Sequence, residues 1–116
     1  MNIEEIREYC LKKSQVTEGF PFDESTLVFK VAGKIFLICG LNSEVPQINL
    51  KCDPERAIEL REMYTGILPG YHMNKKHWNT VYLNDDVNAD LLIELINHSY
   101  EMVIKGLPKK VRLTFD

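Results

Sequence analysis

Apolar positions along this 116-residue chain recur with two different spacings, and the spacing changes at recognisable boundaries. Ile3, Ile6 and Cys10 share one helical face, opened by Asn2 as N-cap with Glu5 three positions on to complete a capping box. That helix is expected to fade near Ser14. Residues 17–25 read as a loop broken by Gly19 and Pro21, with Phe20 and Phe22 expected to pin it to the core. Two β-rich runs follow, 27–31 and 34–39, joined by Ala32 and Gly33 in a tight hairpin turn. Their apolar residues are nearly continuous, which predicts partial cover on both faces. Residues 47–51 alternate, with Ile48 and Leu50 on one side and Asn49 and Lys51 on the other, as in a strand buried on one face.

Asp53 followed by Pro54 is a strong helix start, an N-cap with proline in the first turn. Ala57, Leu60 and Tyr64 line one face of this helix, and Gly66 closes it. Pro69 and Gly70 signal a turn. Residues 71–74 are then expected to form a short strand antiparallel to a clearer one at 77–83, with Lys75 and Lys76 at the tip. Those two residues lack the Asn-Gly chemistry of tight hairpins, so the turn should be wide, with Asn74 in an unusual backbone conformation. His72 and His77 would face each other across it, one of them hydrogen-bonded. Asn88 caps the last and longest helix, with Leu91, Leu92, Leu95, Ile96, Met102 and Val103 as its apolar stripe, and Gly106 and Pro108 end it. The order helix, three strands, helix, two strands, helix predicts an α+β fold: one antiparallel sheet of about five strands with helices on one face. No linker or repeat divides residues 1–116, which are read as a single domain.

Composition narrows the function classes. At 45% hydrophobic and 27% charged residues the chain has a globular make-up. Its longest apolar stretch, 35–39, is far too short to span a bilayer, so no membrane association is expected. The start MNIEEIREY carries acids where a signal peptide needs cations, and a cytoplasmic location is expected. Cys10, Cys39 and Cys52 show no metal-type spacing. Cys10 and Cys39 read as small buried hydrophobes. Cys52 lies beside a helix start that favours a thiolate, but no base accompanies it, and an unreactive thiol is the stronger reading.

Chemistry concentrates in residues 66–83. Tyr71, His72, Asn74, Lys75, Lys76, His77, Trp78 and Asn79 fall within nine positions, and no acid occurs between Glu62 and Asp85 although the net charge is −3. Residues 105–115 form a second acid-free stretch with four cations. Local cations supply attraction to a polyanion and planar side chains supply contact area, so the segment points to a binding surface. Lys75 and Lys76 suit phosphates, Asn74 and Asn79 hydrogen bonds, and Trp78 stacking. The competing reading packs Trp78 and Tyr82 on the sheet and leaves the lysines as solubilising turn residues. Lys51 and Arg56 extend the same surface, near the positive end of the second helix. For catalysis, no nucleophile elbow, glycine-rich phosphate loop or metal-ligand set appears, and two lysines separate His72 from His77. No catalytic residue, cofactor or metal is therefore expected. A weaker alternative has His72, His77 and Arg56 handling a small anionic metabolite.

The runs INLKCDPERAIELREMY, PGYHMNKKHWNTVYL and HSYEMV, with the loop EGFPFDESTLVFKVAGKIF, resemble the MmcQ/YjbR family of small bacterial proteins over residues 17–108. The resemblance implies an α-β3-α-β2-α arrangement in two layers, a double wing similar to type III secretion chaperones. It also implies DNA binding, an expectation that rests on fold analogy. The signature positions are Lys51, Pro54, Arg56, Pro69, Gly70, Tyr71, His72, Asn74, Lys75, His77, Trp78, Asn79 and Ser99. The leading expectation is a non-enzymatic DNA-binding protein that uses Lys51, Arg56, His72, Asn74, Lys75, Lys76, His77, Trp78 and Asn79. The alternative is a protein–protein module that presents Trp78, Thr80 and Tyr82 from its open sheet face.

Overall fold

The computed structural model describes residues 1–70 and 73–115. Helix α1 (Ile3–Leu11) carries the expected capping box: Asn2 Oδ1 accepts from Glu5 N at 2.8 Å, and Asn2 N donates to Glu5 at 3.0 Å. Strands β1 (Val16–Gly19), β2 (Thr26–Val31), β3 (Lys34–Gly40) and β4 (Gln47–Lys51) follow. Next come α2 (Pro54–Met63), β5 (Ile67–Pro69), β6 (Trp78–Tyr82) and α3 (Ala89–Lys105). A short helix α4 (Lys109–Arg112) and a 3₁₀ turn close the described chain.

All strands pair antiparallel in one sheet ordered β1-β2-β3-β4-β6-β5. The α+β expectation is met, with four strands rather than three between the first two helices. The extra strand is β1, which begins in what reads as a loop. It pairs Val16 to Val31 and Gly19 to Val28, so backbone pairing overrides its weak side-chain pattern. Phe20 and Phe22 do not pin the following segment. They are 49% and 63% exposed.

Ala32 and Gly33 link β2 and β3 with both residues left-handed, φ 47° and 82°, a two-residue turn whose twist matches the strands. A bulge then places Phe36 opposite no partner, between the Phe29–Leu37 and Lys30–Ile35 pairs. Phe36 and Leu37 are consecutive yet both belong to the buried core, which explains the nearly continuous apolar run. Phe29, Phe36, Ile48, Val81 and Ile96 lie at the core's centre, each no more than 1% exposed.

The three long helices share one face of the sheet. Ile6 and Cys10 of α1, Ala57 and Leu60 of α2, and Leu92, Leu95, Ile96 and Val103 of α3 all enter the same core. Ser99 locks α3 to the sheet: its Oγ donates to Phe36 O at 2.5 Å and accepts from Lys51 N at 2.9 Å. The connections before β5 and after β6, at one end of this pair, are clasped together by acids. Asp86 accepts from Thr65 N and Gly66 N, both at 2.9 Å, and Asp85 from the Thr65 hydroxyl at 3.0 Å. Both carboxylates therefore act as turn residues.

Candidate nucleic-acid interface

Register decides which side chains reach the uncovered face. Lys51 pairs with Trp78, Asn49 with Thr80 and Gln47 with Tyr82, while Leu50 and Ile48 pair with Asn79 and Val81. The second set lies under the helices. The first set lies on the opposite face, and no helix among the described residues packs there. Trp78, Tyr82, Lys51, Asn49 and Gln47 are half-buried, and Thr80 Oγ1 donates to Asn49 Oδ1 at 2.6 Å. The same alternation puts Lys30, Ile35 and Ile38 on this face from β2 and β3.

Charge is divided between the two faces. Among all strand residues the one acid is Glu18, which both Arg7 Nε and Nη2 hold from the α1 side, at 2.7–3.0 Å. Among the strand residues, the uncovered face thus carries Lys30 and Lys51 and no carboxylate. Antiparallel order gathers the end of β2, the start of β3, the end of β4 and the start of β6 at one edge of the sheet. Lys30, Lys51 and Trp78 lie at that edge on the uncovered face, and Lys34 lies at the same edge on the helix-covered face. At the opposite edge the connections carry Asp23, Glu24, Glu44, Asp85 and Asp86.

A hairpin does end in β6, but residues 71–74 are not its other arm. Its first strand is β5, pairing Ile67 with Val81 and Pro69 with Asn79. The chain therefore reverses between Pro69 and Trp78; of the expected strand at 71–74, Met73 and Asn74 join no ladder, and Tyr71 and His72 lie outside the described residues. Gly70 allows a close approach, since a Cβ there would sit 3.1 Å from Trp78 Cβ. Asn74 anchors the reversal with ordinary negative φ, contrary to expectation. Its Oδ1 accepts from Lys76 N at 2.9 Å and its carbonyl from Trp78 N at 2.9 Å, an Asx-type turn that removes any need for a left-handed residue. Arg61 braces the loop from α2, donating to Ala57 O at 3.1 Å and Lys75 O at 2.9 Å. His77 O accepts from Cys52 N at 2.8 Å and prolongs the β4–β6 pairing. Lys75 and Lys76 are exposed beside Pro54, Glu55 and Ile58 of α2.

Of the expected contact residues, the structure brings Lys51, Trp78, His77, Lys75 and Lys76 together, with Asn74 as the shaping residue. Two others leave the set. Asn79 is 2% exposed under α2, its Nδ2 donating to Ala57 O at 3.4 Å, because the even parity of Trp78, Thr80 and Tyr82 sends it inward. Arg56 Nη2 donates to Glu94 of α3 at 2.6 Å, so its charge is neutralised within the helix layer. His72, also expected, falls outside the described residues. Lys30, Gln47 and Asn49 were not among the expected contacts, and Tyr82 was expected only for a protein partner, although period-two alternation along β2, β4 and β6 was the available signal.

The thiols offer no nucleophile. Burial pushes Cys10 up to about 12 and Cys39 and Cys52 up to about 11, so each stays protonated at neutral pH. His98 has a structural role that sequence reading missed: its Nε2 accepts from Asp53 N, the N-cap of α2, at 3.1 Å. Burial, then Arg56, lowers its pKa below the usual imidazole value and keeps that nitrogen an acceptor. Among the described residues no three His, Cys, Asp or Glu side chains are grouped to hold a metal, and no helix is long and apolar enough to cross a membrane.

Residues 11–102 match the YjbR family. The chain belongs to that family. It is 45% identical over 91 residues, 78% of this chain and 75% of the relative, to uncharacterized protein YbdF of Escherichia coli O157:H7. Uncharacterized protein YjbR of Escherichia coli K12 is 30% identical over 112 residues, covering 97% and 95% of the two chains. Among solved structures, a Deinococcus radiodurans protein of domain family DUF419 superposes with a TM-score of 0.92 at 40% identity, covering 98% of this chain and 87% of its own. A Pseudomonas syringae protein superposes with a TM-score of 0.76 at 32% identity over 88% of this chain and 98% of its own. The fold expected of a YjbR protein is thus the fold found.

Proposed function

We propose that this YjbR-family chain is a non-enzymatic DNA-binding protein that works in the cytoplasm. The observation that carries this reading is the placement of Lys51 against Trp78 on an acid-free sheet face, next to the braced loop with Lys75 and Lys76. A polyanion is attracted to that edge and repelled from the opposite one, which orients the approach as well as strengthening it. Preformed loop geometry lowers the ordering cost of contact. The test is a titration of the protein with labelled DNA at low and moderate salt. Binding should weaken steeply as salt rises, and the double variant Lys75→Glu, Lys76→Glu should abolish it. Salt-independent binding, or no effect of the double variant, would remove the DNA reading.

A second reading is favoured by a different observation. Phe20, Phe22, Leu41 and Val45 are 47–63% exposed at the acidic edge of the sheet. Exposed apolar groups rimmed by acids suit a protein partner better than a nucleic acid. Pulldown with and without nuclease separates the readings: a partner retained after nuclease, and lost in Phe22→Ser, supports the protein module.

A further inference from the structure

We infer that the uncovered sheet face takes single-stranded rather than duplex DNA, with an unstacked base on Trp78 and the phosphate backbone following Lys51 and Lys30. This rests on the DNA reading above and specifies its ligand. Geometry comes first. Six strands spaced about 4.8 Å apart make a surface about 24 Å across, twice the roughly 12 Å of a B-DNA major groove. Such a face cannot enter a groove, and a duplex lying on it offers phosphates but no base faces. Only the turn that carries Lys75 and Lys76 could probe a duplex, leaving Trp78 without a role.

A single strand meets what the face provides. Trp78 is half-buried, its Cβ held close to the backbone of Gly70, and its ring belongs to the side the helices leave bare. Every base has a π-face, so one fixed indole serves without sequence preference. Lys51 lies directly across from Trp78 on β4, and Lys30 stands two strands further on, so cations and ring form a track across the strands at the basic edge. Beside this track the half-buried Asn49 and Gln47 are amides that can both donate and accept toward a base edge. No carboxylate of any strand faces the track.

The chain has one tryptophan, so its intrinsic fluorescence reports on the proposed contact directly. Wild-type protein is titrated with a thymidine dodecamer, with an abasic strand of the same length, and with a matched duplex, following both fluorescence and label anisotropy. The dodecamer should quench Trp78 saturably and bind about tenfold more tightly than either competitor, in line with the worth of one stacked base. Trp78→Leu should lose about the same factor. Lys51→Gln, which leaves the fold intact whatever Trp78→Leu does, should lower the salt slope for the single strand by about 0.7. If the duplex binds as tightly as the single strand, or the dodecamer binds without quenching Trp78, the inference falls while DNA binding stands. If neither nucleic acid binds, both fall together.

Discussion

Strand β4 has five residues, and its two faces meet opposite environments. Ile48 and Leu50 are buried under the helices, 0% and 2% exposed, while Gln47, Asn49 and Lys51 look out on the bare side. In β6 the division is less sharp: Asn79 and Val81 are buried under the helices, and on the bare side Trp78 and Tyr82 are half-buried while Thr80 between them is buried. The covered face is apolar, closed by α1, α2 and α3, and it carries the folding free energy through burial. The bare face is mixed, cationic at one edge, and contributes little that the core needs. Acids follow the helices: Glu4, Glu5 and Glu8 on α1, Glu55, Glu59 and Glu62 on α2, and Asp90, Glu94 and Glu101 on α3. An acidic protein can therefore present a cationic surface, because net charge says nothing about where charge lies.

The comparison predicts that substitutions on the covered face cost stability and those on the bare face cost binding. Phe36→Ala should have the largest effect, since the ring is fully buried and meets Tyr100 edge to face with centroids 5.5 Å apart. A loss of about 3–5 kcal/mol is expected in urea unfolding. Ser99→Ala comes next. It leaves Phe36 O and Lys51 N without their buried partner, and should cost about 1–3 kcal/mol by the same measurement.

On the covered side, acidification should act through His98. His98 is held neutral in the folded chain by burial and by Arg56 and Lys105, against the opposite pull of Asp53 and Glu101. The unfolded chain takes up that proton at a higher pH, so stability is full above about pH 6.5 and falls as pH drops below it. Urea midpoints at pH 7.5 and 5.5 should differ, and His98→Gln should narrow the gap. Asp86 works in a lower window: its hydrogen bonds from Gly66 and Thr65 lower its pKa, so its contribution is lost only as pH falls below the carboxylate range, near 4. The smallest effect belongs to the bare side. Lys51→Gln and Lys76→Gln should change stability by no more than about 0.5 kcal/mol while weakening DNA binding measurably. If either destabilises the protein as much as Ser99→Ala, the division between the faces is wrong.

Where local chemistry alone specifies an outcome, the sequence determined it. Asn2 with Glu5, Asp53 with Pro54, and Asn88 set the three helix starts, since a cap satisfies backbone groups within its own turn. Ala32 and Gly33 set the first hairpin, and alternation set which side of β4 was buried. Tertiary structure decided what depends on partners distant in the chain. Strand β1 exists because β2 offers a free edge, and β6 takes β5 as its partner while Asn74 and Arg61 fix the backbone of Lys75 and Lys76 just before it. The same holds for the site. Clustering near Trp78 was visible in the chain, but Asn79 turned inward by strand parity, and Arg56 was neutralised by Glu94, 38 residues away. Lys30 and Lys51 reach one edge only through the strand order, because a contact surface is assembled by topology while a cap or turn is completed within a few residues.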